Sequence, residues 1–161
     1  MNTKHRLELE WRLNAEADFA SGKFNRSHQW RLDNGQVLSA SSSPLIIPEP
    51  LSAADALNPQ QAFIGALASC HMLAFLTIAA KRKYLVSQYQ DSPVGELGTM
   101  PDGTTGIRLV TLYPMVSFSG DKQPTSEQLT KLHQMAHKAC YIANSVASQI
   151  HIQPQTDIQA E

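Results

Sequence analysis

The segment NPQQAFIGALASCHMLAFLTIAAKRK, running from Asn58 to Lys83, reads as one long helix with both of its ends marked. Asn58 can cap the first free amides, Pro59 suits the first helical position, where no donor is needed, and Gln61 stands where a capping box places Glu or Gln. From Ala62 to Ala80 nearly every residue is apolar or small. Lys81, Arg82 and Lys83 then set positive charge at the negative end of the helix dipole and close the segment. A helix apolar on every side is either a core helix or a membrane span, and this run is just long enough to cross a bilayer of about 30 Å. Its Ala-rich composition, with Gly65, Ser69 and His71 near its middle, and the absence of a second such run favour the core helix and no membrane. The rest of a 161-residue chain made mostly of short strands is too small to surround it. A second copy is therefore expected to complete the cover, making a homodimer.

On the N-terminal side of that helix, Leu7, Leu9, Trp11 and Leu13 alternate with polar residues at the period of a half-buried strand. His28 to Leu32 and Gln36 to Ala40 flank Asp33-Asn34-Gly35, a hairpin turn signal. The three prolines between Pro44 and Pro50 disfavour both helix and central strand, so this stretch is a loop. On the C-terminal side, Leu85 to Tyr89 and Gly106 to Phe118 read as strands, with Pro114 marking an edge or bulge in the second. Ser126 opens another helix whose buried stripe is expected at Leu129, Leu132, Met135 and Ala139. That helix delivers Cys140. Gln149 to Gln153 alternates as a last strand, and the residues after Pro154 read as a mobile tail. The whole, residues 1–161, is expected to be a single α+β domain.

Hydrophobic residues at 42% and charged residues at 17% describe a folded chain rather than a disordered one. A formal charge of −1 gives no field that would recruit nucleic acid or an anionic membrane surface. The N-terminus scatters charges and has no apolar centre, so it is not a signal peptide and a cytoplasmic protein is expected. Two cysteines 70 positions apart are too sparse for a secreted disulfide scaffold and lack the close pairing of a structural zinc site.

Cys70 is the best candidate for chemistry, although a mid-helix cysteine taken by itself reads first as a buried structural thiol. A reactive thiol at that position needs a nearby cation, for which Arg26, Arg31 and His71 are candidates. His71 points about 100° away from Cys70 around the helix, which places it badly as a general base for a nucleophilic hydrolase. His133, His137 and Cys140 share one face of the second helix. If that face met Cys70 and His71 the set would offer zinc's preferred donors, against the plainer reading of surface histidines.

With both cysteines placed on helices, the sequence is similar to the osmotically inducible protein C and organic hydroperoxide resistance (OsmC/Ohr) family. The resemblance runs from about Phe24 to Gln153. It is carried by Asn58-Pro59 leading through Ala66 to Leu73, and by Ala136-His137-Lys138-Ala139-Cys140-Tyr141-Ile142-Ala143-Asn144-Ser145, with support from Val86 to Asp91, Gly95, Arg26-Ser27-His28 and Asp33-Asn34-Gly35. It implies an intertwined homodimer with antiparallel sheets wrapped around central helices. It also implies cofactor-independent, thiol-dependent reduction of organic hydroperoxides, with Cys70 as the peroxidatic thiolate, Cys140 as the resolving cysteine, and a dithiol or lipoylated protein as reductant. In this reading Arg26 stabilises the thiolate, with Arg31 as the competing assignment. The family's glutamate partner of that arginine falls on Gln60, which can accept a hydrogen bond from Arg26 but carries no charge. Glu49 or Asp55 from the preceding loop could stand in for it. A non-catalytic dimeric module that binds a small hydrophobic ligand is the alternative function.

Overall fold

The structure, a computed structural model, describes residues 3–15 and 17–155. The expected tail beyond Gln155 lies outside the described residues. The chain divides into two compact units, Met1–Ala62 and Phe63–Glu161.

In the first unit β1 (Leu7–Glu10), β2 (His28–Leu32) and β3 (Val37–Ala40) form an antiparallel sheet in that order. Leu7 pairs with Leu32 and His28 with Ala40. The Asp33-Asn34-Gly35 turn forms as expected, with Gly35 at φ 86°, a conformation costly for any side chain with a Cβ, and with the Asn34 side chain accepting the Gln36 N–H at 3.0 Å. The alternation that continued to Leu13 in sequence stops at Glu10, because Trp11 leaves the ladder and donates its indole N–H to the Asn25 carbonyl at 2.8 Å. The Pro-rich loop returns to the sheet through Leu57, which bridges Ala40.

The long helix α1 spans Pro59–Lys81. Its capping box is the one read from sequence: the Asn58 side chain accepts the Gln61 N–H at 2.8 Å, and the Gln61 side chain accepts the Asn58 N–H at 3.3 Å. At the other end Lys83 takes a left-handed conformation at φ 62° and the Tyr84 N–H closes on the Ala79 carbonyl at 3.0 Å, an arrangement that usually employs glycine. By length and composition α1 could cross a membrane, and no other helix among the described residues meets that test.

The second unit continues α1 into β4 (Leu85–Gln90), β5 (Val94–Thr99), β6 (Thr105–Leu112), β7 (Met115–Ser119), α2 (Ser126–Ala139), a 3-10 turn at Ala143–Ser145 and β8 (Gln149–Ile152). Strands β4 and β7 form one sheet and β5-β6-β8 another. All pairs are antiparallel except β6 with β8, which run parallel and so depart from the expected all-antiparallel pattern. The single strand expected from Gly106 to Phe118 is two strands in different sheets. Pro114 has no N–H for a ladder, and the Tyr113 N–H leaves it to bond the Asp91 carboxylate at 2.7 Å. Strand β5 has no counterpart in the sequence reading. Gly95 lies on it where a Cβ would meet Ile64 Cγ2 at 2.7 Å, so the strand approaches α1 through a glycine.

Two apolar clusters hold this unit. One gathers Leu67, Ala68, Val110, Leu112 and Cys140, the other Phe75, Ala79, Tyr84, Leu132 and Ala136. Each large side chain so buried contributes about 1.5–3 kcal/mol relative to exposure. Helix α2 starts from a complete capping box between Thr125 and Gln128. Its buried stripe is Leu132, His133 and Ala136, whereas Met135 and Ala139 are exposed, so the expected stripe is corrected by about one residue. His133 moves it, because its ring packs inward on Phe75. Helix α1 is less buried than expected: Gly65, Ser69, Leu73 and Thr77 form an exposed stripe, with Leu73 58% accessible.

Candidate functional site

In the second unit, Cys70 comes from the middle of α1 and Cys140 from the C-cap of α2, at φ −77° and ψ 110°. The fold brings these two distant residues together. Their thiols are close enough to influence each other electrostatically, and no disulfide joins them. Cys140 is fully buried among Leu67, Ala68, Val110 and Leu112, with its Sγ 4.0 Å from the Leu67 carbonyl, while Cys70 is half-buried at the edge of that cluster. Burial, followed by the neighbouring Cys70 thiol, pushes the Cys140 thiol up to about 11. The Ala143 N–H, donated to Cys140 Sγ at 3.4 Å, works in the other direction by favouring a thiolate. One partly accessible thiol thus faces one sealed thiol held in its protonated form.

Next to Cys70 in the chain, His71 faces His133, and the two are 1% and 2% exposed. Their rings lie 5° from parallel and meet at 3.1 Å between His71 Nε2 and His133 Nδ1. The plainer sequence reading of surface histidines is therefore corrected for His133. Burial, then the nearby His137, lowers the His71 pKa to about 4, and burial, then His71, lowers that of His133 to about 3. Both rings are neutral at pH 7, so one shared proton makes the N–H···N bond. His71 does face away from Cys70, as the 100° rotation required: it meets His133 while Cys70 meets Cys140. Among the described residues no group of three or more His, Cys, Asp or Glu is arranged to hold a metal ion.

In the first unit, Arg26 and Gln60 line one open cavity of about 570 Å³ with Trp11, Phe19, Phe24 and His28. The three aromatic rings form a contiguous wall, Phe19 stacking on Phe24 at 4.6 Å and Trp11 meeting Phe24 edge-on at 5.6 Å. The Arg26 guanidinium lies 4.1 Å over the Phe24 ring and donates to the Phe24 and Gly22 carbonyls. The expected Arg26–Gln60 hydrogen bond is not made. Those two carbonyls take the guanidinium donors instead, and Gln60 Oε1 is buried with no partner. His28 supports this corner: its Nδ1 is 2.8 Å from the Arg26 carbonyl and its Nε2 accepts the Trp30 indole N–H at 3.0 Å, which fixes the proton on Nδ1. Arg31 is exposed on β2 and does not line the cavity. Neither Glu49, which accepts the Ala54 N–H, nor Asp55 lines it, so neither stands in for the missing carboxylate. The aromatic wall escaped the sequence reading, although Trp11, Phe19 and Phe24 crowd the approach to Arg26 in the chain.

A family model described as OsmC-like protein matches residues 52–155. Among solved structures, an OsmC-like protein of unknown function from Vibrio cholerae is 42% identical, with a TM-score of 0.93 over 96% of this chain and all of that one. An organic hydroperoxide resistance protein from Elizabethkingia anophelis, solved with thiocyanate bound, is 17% identical with a TM-score of 0.66 over 97% of this chain and 98% of its own. That of Bacillus subtilis is 18% identical with a TM-score of 0.62 over 96% and 98%. These last two likenesses concern the fold. No curated protein matches the chain in sequence. From the model match and the Vibrio cholerae likeness, the chain belongs to the OsmC-like protein family.

Proposed function

We propose that the protein reduces organic hydroperoxides with a pair of thiols and serves in peroxide resistance. The observation that carries this reading is the contact between half-buried Cys70 and sealed Cys140, 70 positions apart in sequence. Cys70 as thiolate attacks the outer peroxide oxygen, the O–O bond breaks, and the alkoxide leaves with a proton as alcohol. Cys70 is then a sulfenic acid. Cys140 attacks its sulfur, the sulfenic oxygen departs as water with the Cys140 proton, and a disulfide remains. A dithiol, free or borne on a lipoylated protein, reduces that disulfide by thiol exchange and is itself oxidised to a disulfide.

The family resemblance gives Arg26 the role of favouring the Cys70 thiolate, and Gln60 takes the place of the family's glutamate without its charge. Gln60 Oε1, an acceptor without a partner, and the Arg26 donors together complement a hydroperoxide, whose terminal O–H donates while its oxygens accept. The reading includes a cytoplasmic homodimer. The exposed α1 stripe at Leu73 favours a second copy over a bare surface. No cofactor takes part in the scheme.

The test is consumption of cumene hydroperoxide by purified protein with a dithiol, run beside Cys70→Ser. Turnover that depends on Cys70 supports the peroxidase, and turnover undiminished in Cys70→Ser overturns it. A second reading, a non-catalytic module for a small hydrophobic ligand, is favoured by the aromatic cavity of the first unit. It takes over if the thiols ignore peroxide and an apolar molecule co-purifies.

A further inference from the structure

Packing in the second unit decides which of two joined sulfurs an outside thiol can reach. Thiol exchange is an in-line displacement: the attacking sulfur approaches from the side opposite to the sulfur that leaves. An attack on Cys140 Sγ that expels Cys70 has to come from behind Cys140. That side is closed, because Cys140 is 0% exposed and embedded with Leu67, Ala68, Val110 and Leu112. An attack on Cys70 Sγ that expels Cys140 starts instead from the half-buried sulfur at the rim of the cluster. Leaving-group chemistry pulls the other way. A thiol of lower pKa leaves faster, and burial pushes the Cys140 thiol up to about 11, which makes it the reluctant one. The turn after α2 offsets this reluctance. The Ala143 N–H points at Cys140 Sγ at 3.4 Å, and the Ile142 N–H also favours the thiolate. The two amides that follow are committed to the backbone, Asn144 to the Cys140 carbonyl and Ser145 to the Ile142 carbonyl, and they hold the turn around the sulfur.

We propose that a Cys70–Cys140 disulfide opens in one direction only: an outside thiolate bonds to Cys70 Sγ, and Cys140 departs inward as a thiolate received by the Ala143 N–H. The attacking sulfur supplies the electron pair of the new S–S bond, and the pair of the broken bond stays on Cys140. Cys140 then takes up the proton that the outside thiol gave to solvent. The mixed disulfide therefore always lies on Cys70. The inference rests on the thiol-pair reading in that the two cysteines must join, and it holds whatever oxidant joins them.

The experiment joins the cysteines of the full-length protein with diamide, which takes two electrons from a thiol pair and delivers no oxygen. An excess of N-acetylcysteine is added, exchange is stopped within seconds in acid, where thiolates are protonated, and pepsin fragments are mapped by mass spectrometry. At least about tenfold more adduct is expected on Cys70 than on Cys140, since access governs which sulfur is attacked. The same protein unfolded in urea is expected to carry adduct on both cysteines, because packing imposes the direction. Comparable adducts on the two cysteines of the folded protein, or the same bias after unfolding, overturns the proposal. Incorporating lactate in place of Ala143 exchanges the N–H for an ester oxygen and keeps the methyl group. Opening is expected to slow about tenfold or more, the worth of a hydrogen bond to a charged group. Alkylation of Cys70 in the reduced protein is expected to keep its rate, since it does not use that amide. An unchanged opening rate, or equal slowing of both reactions, overturns the role given to Ala143. Failure of diamide to join the cysteines overturns the whole proposal. If peroxide is not turned over but the adduct falls on Cys70, the peroxidase reading has failed and the directed opening stands; turnover with the adduct on Cys140 means the reverse.

Discussion

Acidification should loosen the second unit at one identifiable place, the buried His71–His133 pair. In the unfolded chain each imidazole titrates near about 6.5, whereas folding lowers these values to about 4 and about 3. The folded state therefore binds fewer protons than the unfolded state between those limits. Stability is full above about pH 6.5 and is lost as pH falls toward the folded values. Each ring costs about 1.4 kcal/mol per pH unit across this window, so from pH 7 to pH 5 the pair together costs about 4 kcal/mol. That is a sizeable share of the roughly 5–15 kcal/mol that holds a typical domain. Asp91, whose carboxyl burial raises, works in the opposite sense, and comparison with a variant cancels its share. In His133→Gln one titrating ring is gone while an amide still faces His71 Nε2, so the loss from pH 7 to pH 5 should fall to about half. The assay is urea unfolding at pH 7, 6 and 5, at fixed protein concentration with thiols reduced. Equal losses of stability in wild type and His133→Gln over that range would rule out the histidine pair as the acid-sensitive element.

Other perturbations act on single contacts. Gly95→Ala drives a methyl to within 2.7 Å of Ile64 Cγ2 and should cost about 1–3 kcal/mol in the same unfolding assay. Lys83→Gly removes a side chain from a left-handed position at φ 62° and should stabilise by about 0.5–1 kcal/mol, visible as a higher melting temperature. Thr125→Ala breaks the α2 capping box and should cost about 1 kcal/mol, read as a lower urea midpoint. Because the Cys140 thiol is pushed up to about 11, closure of the disulfide after peroxide addition should quicken by about tenfold per pH unit between about pH 7 and 9, followed by stopped-flow fluorescence.

What could be read from the chain was whatever local chemistry determines. The α1 cap at Asn58 and Gln61, the Asp33-Asn34-Gly35 hairpin and the α2 boundaries all depend on residues within one turn of each other. Strand β5 was not legible, since Gly95, Glu96 and Gly98 have low strand propensity, and it is the approach to Ile64 that makes glycine useful. Pro114 marked a break, but whether the chain then rejoined the same sheet depends on pairing partners far away. At the site, Cys70 and Cys140 were singled out from their helices, and their meeting is a tertiary fact. His133 shows the limit most clearly: a histidine on a helix reads as exposed until a second buried ring supplies its hydrogen bond. Gln60 was legible as a substitution in a family pattern, and its unpaired oxygen was not, because the choice of Arg26 for backbone carbonyls depends on how the loop folds back.

Whether Cys70 and Cys140 work as one redox pair can be decided by adding one equivalent of cumene hydroperoxide to reduced protein, quenching within seconds and mapping the peptides by mass spectrometry. The expected result is loss of both thiols and a single Cys70–Cys140 disulfide, with Cys140→Ser stopping at a trappable Cys70 sulfenic acid. Unmodified thiols in both proteins, or oxidation that falls on Cys140 while Cys70 stays reduced, would contradict the pairing.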